Sequence, residues 1–169
     1  GPSPVPGVVY NNFPFIKKYL QPHARYGETN NNWYILRFAD VLLMLAESLN
    51  EQGKGNESIQ YLNLVRNRAG LVNVSYTSQA VLKDVILNER RIELAFENKR
   101  WQDLIRSGNA ISVMNVFGQK VISNPGNYYY PQNTGPLSGS FRVTQTNLIY
   151  PIPVRETIVN PDLVQNPGY

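Results

Sequence analysis

The chain has 169 residues and a net charge of +4, with 42% hydrophobic and 17% charged residues. That is one compact domain or a large piece of one, apolar enough to bury a core and too apolar for a disordered tail. The absence of cysteine and a single histidine, His23, exclude disulfides, Cys-ligated zinc, iron–sulfur clusters, a thiol nucleophile and a His-rich metal site, and no cofactor is implied.

Low charge and abundant Asn and Tyr, with 11 tyrosines, imply a neutral polar and aromatic surface of the kind sugar-facing proteins carry. The basic residues of 88–91 and 97–100 are interleaved with acids, so no basic stripe for nucleic acid is present. The longest apolar run, 41–46, is far short of the ~20 residues of a membrane span. The opening Gly1-Pro2-Ser3-Pro4 has no signal-peptide pattern and reads as mid-protein sequence.

Residues 1–32 are rich in Pro, Asn, Gly and Tyr. They read as an irregular lead-in with a short strand near Phe13-Pro14-Phe15-Ile16 and a solvated loop histidine at His23. Residues 33–117 read as a helical core. A first helix is expected from 33 or 36 to 52, with Ile35, Phe38, Ala39, Leu42, Leu45, Ala46 and Leu49 on one face. Leu43 and Met44 fall on the other side, which predicts cover on more than one face. Gly53 and Gly55 end it. Asn56 caps a second helix with Ile59, Leu62, Val65 and Ala69 inward, stopped by Gly70. The short link makes the two an antiparallel pair.

A third helix is expected from 77 or 78 to 97. Leu82, Val85, Ile86, Ile92 and Phe96 form its apolar face, with Glu89 and Glu93 in the middle and Arg90 and Arg91 pointing away. A fourth covers 100–105 and resumes after Gly108 through Met114, with Asp103 and Arg106 on its polar side and Trp101, Leu104 and Ile105 on its apolar side. The fold class is thus mainly α. Two helical hairpins, loosely similar to tetratricopeptide units, are flanked by long irregular Pro/Gly/Asn-rich segments. Residues 118–169 read as a loop and an extended tail.

Glu89 and Glu93 raise the main chemical question, because an unpaired charge inside an apolar stripe costs several kcal/mol. They are either a general acid and base or anchors for arginines, with Arg37, Arg66, Arg68, Arg100 and Arg106 available. Two carboxylates on adjacent turns point in nearly the same direction, whereas a glycosidase needs them on opposite sides of the bond it cleaves. That favours anchors and no catalytic residue.

Three strings, in order, resemble the SusD/RagB family of outer-membrane nutrient-binding lipoproteins. The first is Ile35-Leu36-Arg37-Phe38-Ala39-Asp40-Val41-Leu42-Leu43-Met44-Leu45-Ala46-Glu47. The second is Glu89-Arg90-Arg91-Ile92-Glu93-Leu94-Ala95-Phe96-Glu97, followed by Arg100-Trp101, Asp103-Leu104-Ile105-Arg106 and Gly108. The third is Tyr150-Pro151-Ile152-Pro153 leading to Gln165-Asn166-Pro167-Gly168-Tyr169. The resemblance implies the C-terminal portion of a longer, surface-exposed, lipid-anchored protein. Such a protein binds an oligosaccharide or other nutrient without catalysis and feeds a SusC-type TonB-dependent transporter. It also implies that the N-terminal part of the same protein is a partner of this chain. The motif residues transfer as scaffold: Arg37, Asp40, Glu47, Glu89, Arg90, Arg91, Glu93, Glu97, Arg100, Trp101, Asp103 and Arg106. Ligand candidates come from chemistry instead, as aromatic faces rimmed by amides. They are Asn127, Tyr128, Tyr129 and Tyr130 in one loop, and Trp33 with Tyr34 in another. The competing classes are a carbohydrate hydrolase using Glu89 and Glu93, and a helical-repeat adaptor for peptides.

Overall fold

Apolar residues spaced three to four apart produce six α-helices among the described residues of the computed structural model, which are 16–22, 25, 30–128 and 134–169. They are α1 (Phe38–Glu51), α2 (Gly55–Arg68), α3 (Gln79–Glu93), α4 (Arg100–Arg106), α5 (Ala110–Ser123) and α6 (Val154–Val159). Short 3-10 turns lie at Lys17–Tyr19, Pro125–Tyr128 and Thr146–Leu148, and no strand occurs among the described residues. The mainly α expectation holds. His23, the 13–15 patch, Tyr129 and Tyr130 lie outside the described residues.

The chain reverses between α1 and α2 at Gly53, whose φ of +76° suits a residue without a Cβ. Gly55 opens α2 for a different reason. A Cβ there would sit 2.0 Å from the Tyr76 ring, which lies across the helix start. The buried core joins Leu43 and Ala46 of α1, Leu62 and Val65 of α2, and Leu82 and Ile86 of α3. So α3 packs onto the first hairpin, and α4 and α5 follow as a second pair around the Gly108 turn, φ +73°.

Four sequence expectations shift. Helix α1 begins at Phe38, because Arg37 is extended (φ −122°, ψ 156°) and its side chain is engaged elsewhere. The buried stripe of α1 is Asp40, Leu43, Ala46 and Asn50, a face rotated from the expected one but sharing Ala46 with it, while Ala39 and Leu42 are partly buried at its edge. Ile35 and Phe38 stay 81% and 75% exposed. Helix α3 stops at Glu93, four residues early, because the following turn carries left-handed backbone at Phe96 (φ 67°) and Asn98 (φ 57°). Ser78 caps its start, its Oγ accepting from the Val81 amide. Helix α5 runs on to Ser123, beyond the Met114 that periodicity suggests.

Side-chain amides fasten the irregular segments. Asn63 of α2 donates to the Val74 carbonyl and accepts from the Val74 amide, both at 3.0 Å. Asn115 of α5 does the same to Val143, at 3.0 and 2.7 Å. Gln165 repeats the pattern on Ile152, at 2.8 Å each way. Each carboxamide satisfies a backbone donor and acceptor that no strand partner supplies.

Candidate functional site

Most charged residues of the helical motifs, Arg91 and Arg100 apart, form two ion-pair clusters rather than an open catalytic pair. The first lies where α3 ends. Glu89 is 4% exposed and accepts from Arg66 Nη1 at 2.6 Å. Glu93 accepts from Arg37 Nη1 at 3.0 Å and from Arg68 Nη2 at 2.5 Å. Glu97 accepts from Arg37 through Nε (2.9 Å) and Nη2 (2.7 Å), and from Lys18 Nζ at 2.6 Å. Burial pushes the Glu97 carboxyl up, but the hydrogen bonds from Arg37 and Lys18 outweigh it and hold the group below its ordinary range. The bond to Glu97 also raises the Arg37 guanidinium above its usual value, against burial.

Lys18 further donates to the carbonyls of Glu93 (2.9 Å) and Ala95 (2.8 Å). A cation thereby meets orphan carbonyls at a helix C-terminus, where the dipole favours it. Lys18 was missed by the sequence reading, since no local pattern connects positions about 75 apart.

The second cluster is drier. Arg90 Nη1 donates to Asp40 Oδ1 at 2.8 Å and Arg90 Nε to Asp103 Oδ2 at 3.0 Å, with all three side chains no more than 5% exposed. Arg106 closes the chain by donating to Asp103 Oδ1 (2.8 Å) and to both oxygens of Glu47. Its own pKa is raised, chiefly by the bond to Glu47. One expectation is corrected here. Arg90 does not point away from the core; it shares a buried side of α3 with Leu87. Asp103 does lie with Arg106 on the polar side of α4, and it is 3% exposed, because α4 turns it toward Arg90. Arg91 is exposed, as expected.

Glu89 and Glu93 do border an open groove of about 440 Å³, together with Lys18, Tyr34, Arg37 and Arg68. Guanidiniums hold both acids there, so neither stands free on opposite sides of a substrate bond. Arg100 and Trp101 line a second groove of about 640 Å³ with Phe96, Lys99 and Tyr150. Among the described residues no group of three or more His, Cys, Asp or Glu is placed to hold a metal ion.

The ligand candidates fall into two aromatic patches. Trp33 (54% exposed) stacks on Tyr19 at 5.0 Å between centroids and 12° between planes. Tyr34 (44% exposed) flanks the same ring at 6.4 Å and 27°. Tyr19 anchors the stack by donating its hydroxyl to the Phe96 carbonyl at 3.1 Å. It too was missed by sequence reading. Tyr128 instead packs edge-on against Phe117 of α5, centroids 5.6 Å apart, with Asn127 exposed beside it.

The arrangement defines a class: an all-helical scaffold whose hairpins are riveted by buried arginine–carboxylate clusters and which presents aromatic surface. The SusD family model matches residues 6–169, and the chain belongs to that family. It is 34% identical over 163 residues to SusD-like protein P38 of Formosa agariphila, covering 91% of this chain and 28% of that protein. It is 27% identical over 147 residues to the starch-binding protein SusD of Bacteroides thetaiotaomicron, covering 87% and 23%. A crystal structure of a SusD homolog from the same species superposes with a TM-score of 0.67 at 27% identity, over 86% of this chain and 30% of that one. The chain therefore spans less than a third of the length of each of these relatives. No described helix is long and apolar enough to cross a membrane.

Proposed function

We propose that this chain is the C-terminal scaffold of a surface-exposed, lipid-anchored outer-membrane protein that binds a glycan or related nutrient and passes it to a SusC-type TonB-dependent transporter. No covalent chemistry is involved. The observation that carries the reading is the family match across nearly the whole chain, in which one relative is named for binding starch. The engagement of Glu47, Glu89, Glu93, Glu97 and Asp103 with guanidiniums supports a binding rather than a hydrolytic role.

The Tyr19–Trp33–Tyr34 stack is the proposed sugar platform, because exposed aromatic faces suit the C–H face of a pyranose. Ile35, Leu36 and Phe38 are exposed apolar residues at the start of α1, which the N-terminal part of the same protein covers in this reading. Native gels cast with a panel of polysaccharides test the proposal. At least one polysaccharide retards the protein, and Trp33→Ala weakens that retardation about tenfold, the equivalent of ~1.4 kcal/mol. Unchanged mobility across the panel counts against glycan binding.

A further inference from the structure

Two guanidiniums on successive helices have no counter-ion among the described residues. Arg91 lies in the last turn of α3 and Arg100 opens α4. Neither makes an ion pair or hydrogen bond, whereas the other arginines of α2 to α4 (Arg66, Arg68, Arg90 and Arg106) each hold a carboxylate. The Arg100 pKa is lowered, first by burial and then by the Arg91 charge, against a smaller opposing pull from Asp103. The two cations are thus close enough to repel, and among the described residues neither forms an ion pair that would offset the repulsion.

They line two adjoining hollows of about 350 and 480 Å³, which share Arg91, Arg100, Leu104 and Val113. Both volumes lie in the ~300–1,000 Å³ range of small-molecule sites. The larger hollow adds a third cation, Lys120, and an aromatic wall, Phe117, which is 43% exposed. The smaller adds neutral hydrogen-bonding groups from Asn88, Ser107 and Asn109. Asp84 borders the smaller hollow and pairs with neither arginine.

We propose that this groove is a subsite for an acidic saccharide unit, with a carboxylate or sulfate held between Arg91 and Arg100 and the sugar ring against Phe117. Paired guanidiniums offer forked donors that match the planar oxygens of a carboxylate or the faces of a sulfate. The aromatic wall and the amide and hydroxyl rim distinguish a sugar ring from a bare ion. The proposal rests on the glycan reading above and narrows its substrate class to anionic glycans.

The test follows the Nε–Hε NMR signals of Arg91 and Arg100 in the full chain as sodium sulfate, sodium glucuronate, glucose or sodium chloride is added at matched ionic strength. Sulfate and glucuronate give saturable shifts at both arginines, and chloride and glucose give none. Arg91→Gln and Arg100→Gln each weaken the response about tenfold. Both variants keep the fold, since neither residue makes a bond, and circular dichroism checks this. A shift that does not saturate, or one that survives both substitutions, overturns the proposal. So does a response to sulfate without one to glucuronate, which leaves an anion pocket with no sugar preference. Loss of the response in the longer natural protein also overturns it, because a carboxylate of that protein then fills the site. A protein retarded by neutral polysaccharides but silent to both anions keeps the glycan reading and loses this one.

Discussion

Replacing Arg90 with Met removes the one cation that joins Asp40 of α1 to Asp103 of α4. Both carboxylates are at most 4% exposed and cannot recover hydration while the fold holds. Breaking such a pair by removing one partner costs about 3–5 kcal/mol. Asp103 keeps Arg106 at 2.8 Å and Asp40 keeps Lys99 at 3.5 Å, which places the loss near the lower end, about 3 kcal/mol. For a chain of this size that lowers the melting temperature by about 6–12 °C. It is also a large share of the ~5–15 kcal/mol that holds a typical protein folded. Guanidinium unfolding followed by circular dichroism reads the change. Arg91→Met, on the exposed side of the same turn, is the control and stays within about 0.5 kcal/mol of the parent. A triple variant, Asp40→Leu with Arg90→Met and Asp103→Leu, recovers most of the loss, because a buried ionic group replaced whole by apolar side chains is often neutral. If Arg90→Met costs no more than Arg91→Met, the ion-pair cluster is not what fastens α1 to α4.

Three further outcomes follow from the same geometry. Glu89→Gln and Glu93→Gln each lower unfolding stability by about 1–3 kcal/mol, since each weakens charged hydrogen bonds to arginine. Reducing-sugar assays detect no glycan cleavage before or after either change, and turnover that disappears in a Gln variant with its fold intact would refute the scaffold role. Glu97 has a depressed folded-state pKa, so its contribution is present above the unfolded value of about 4.5 and is lost as pH falls through the folded value. Denaturation at pH 7, 5 and 3 shows stability falling over the acid part of this series, less steeply in Glu97→Gln. Gly55→Ala drives a Cβ to 2.0 Å from the Tyr76 ring and costs about 1–3 kcal/mol in thermal unfolding, with partial recovery when Tyr76→Leu is added.

Helix existence was legible because it depends on local spacing, and Leu62, Val65, Leu82 and Ile86 are buried where the period puts them. Helix faces were less legible wherever a charge is buried. Arg90 reads as pointing away from the apolar face, yet it meets Asp40 across 50 residues of sequence, and Asp40 shares the buried side of α1 with Leu43. No periodicity encodes a partner that far away. Composition also does not say which asparagines are structural: Asn63 and Asn115 spend their amides on the backbone of neighbouring segments. The aromatic platform was half visible. Trp33 and Tyr34 were chosen by chemistry, while Tyr19, the ring that stacks with both, carried no signal of its own.

The matching of charges separates structure from recognition in this molecule. Along α3, Glu89, Arg90 and Glu93 each meet a partner from another element, so each such bond fixes one helix against another. Arg91, one residue further round the same helix, meets none among the described residues, and its charge helps lower the pKa of Arg100. Stability alone would favour an acid or a neutral residue at one of the two positions, because like charges lining one partly desolvated hollow work against folding. Their coexistence beside an aromatic wall is what the proposed anionic subsite accounts for. The acids of the clusters are already committed to cations, and among the described residues the two proposals above rest on groups outside them, the Arg91–Arg100 groove and the Trp33 face.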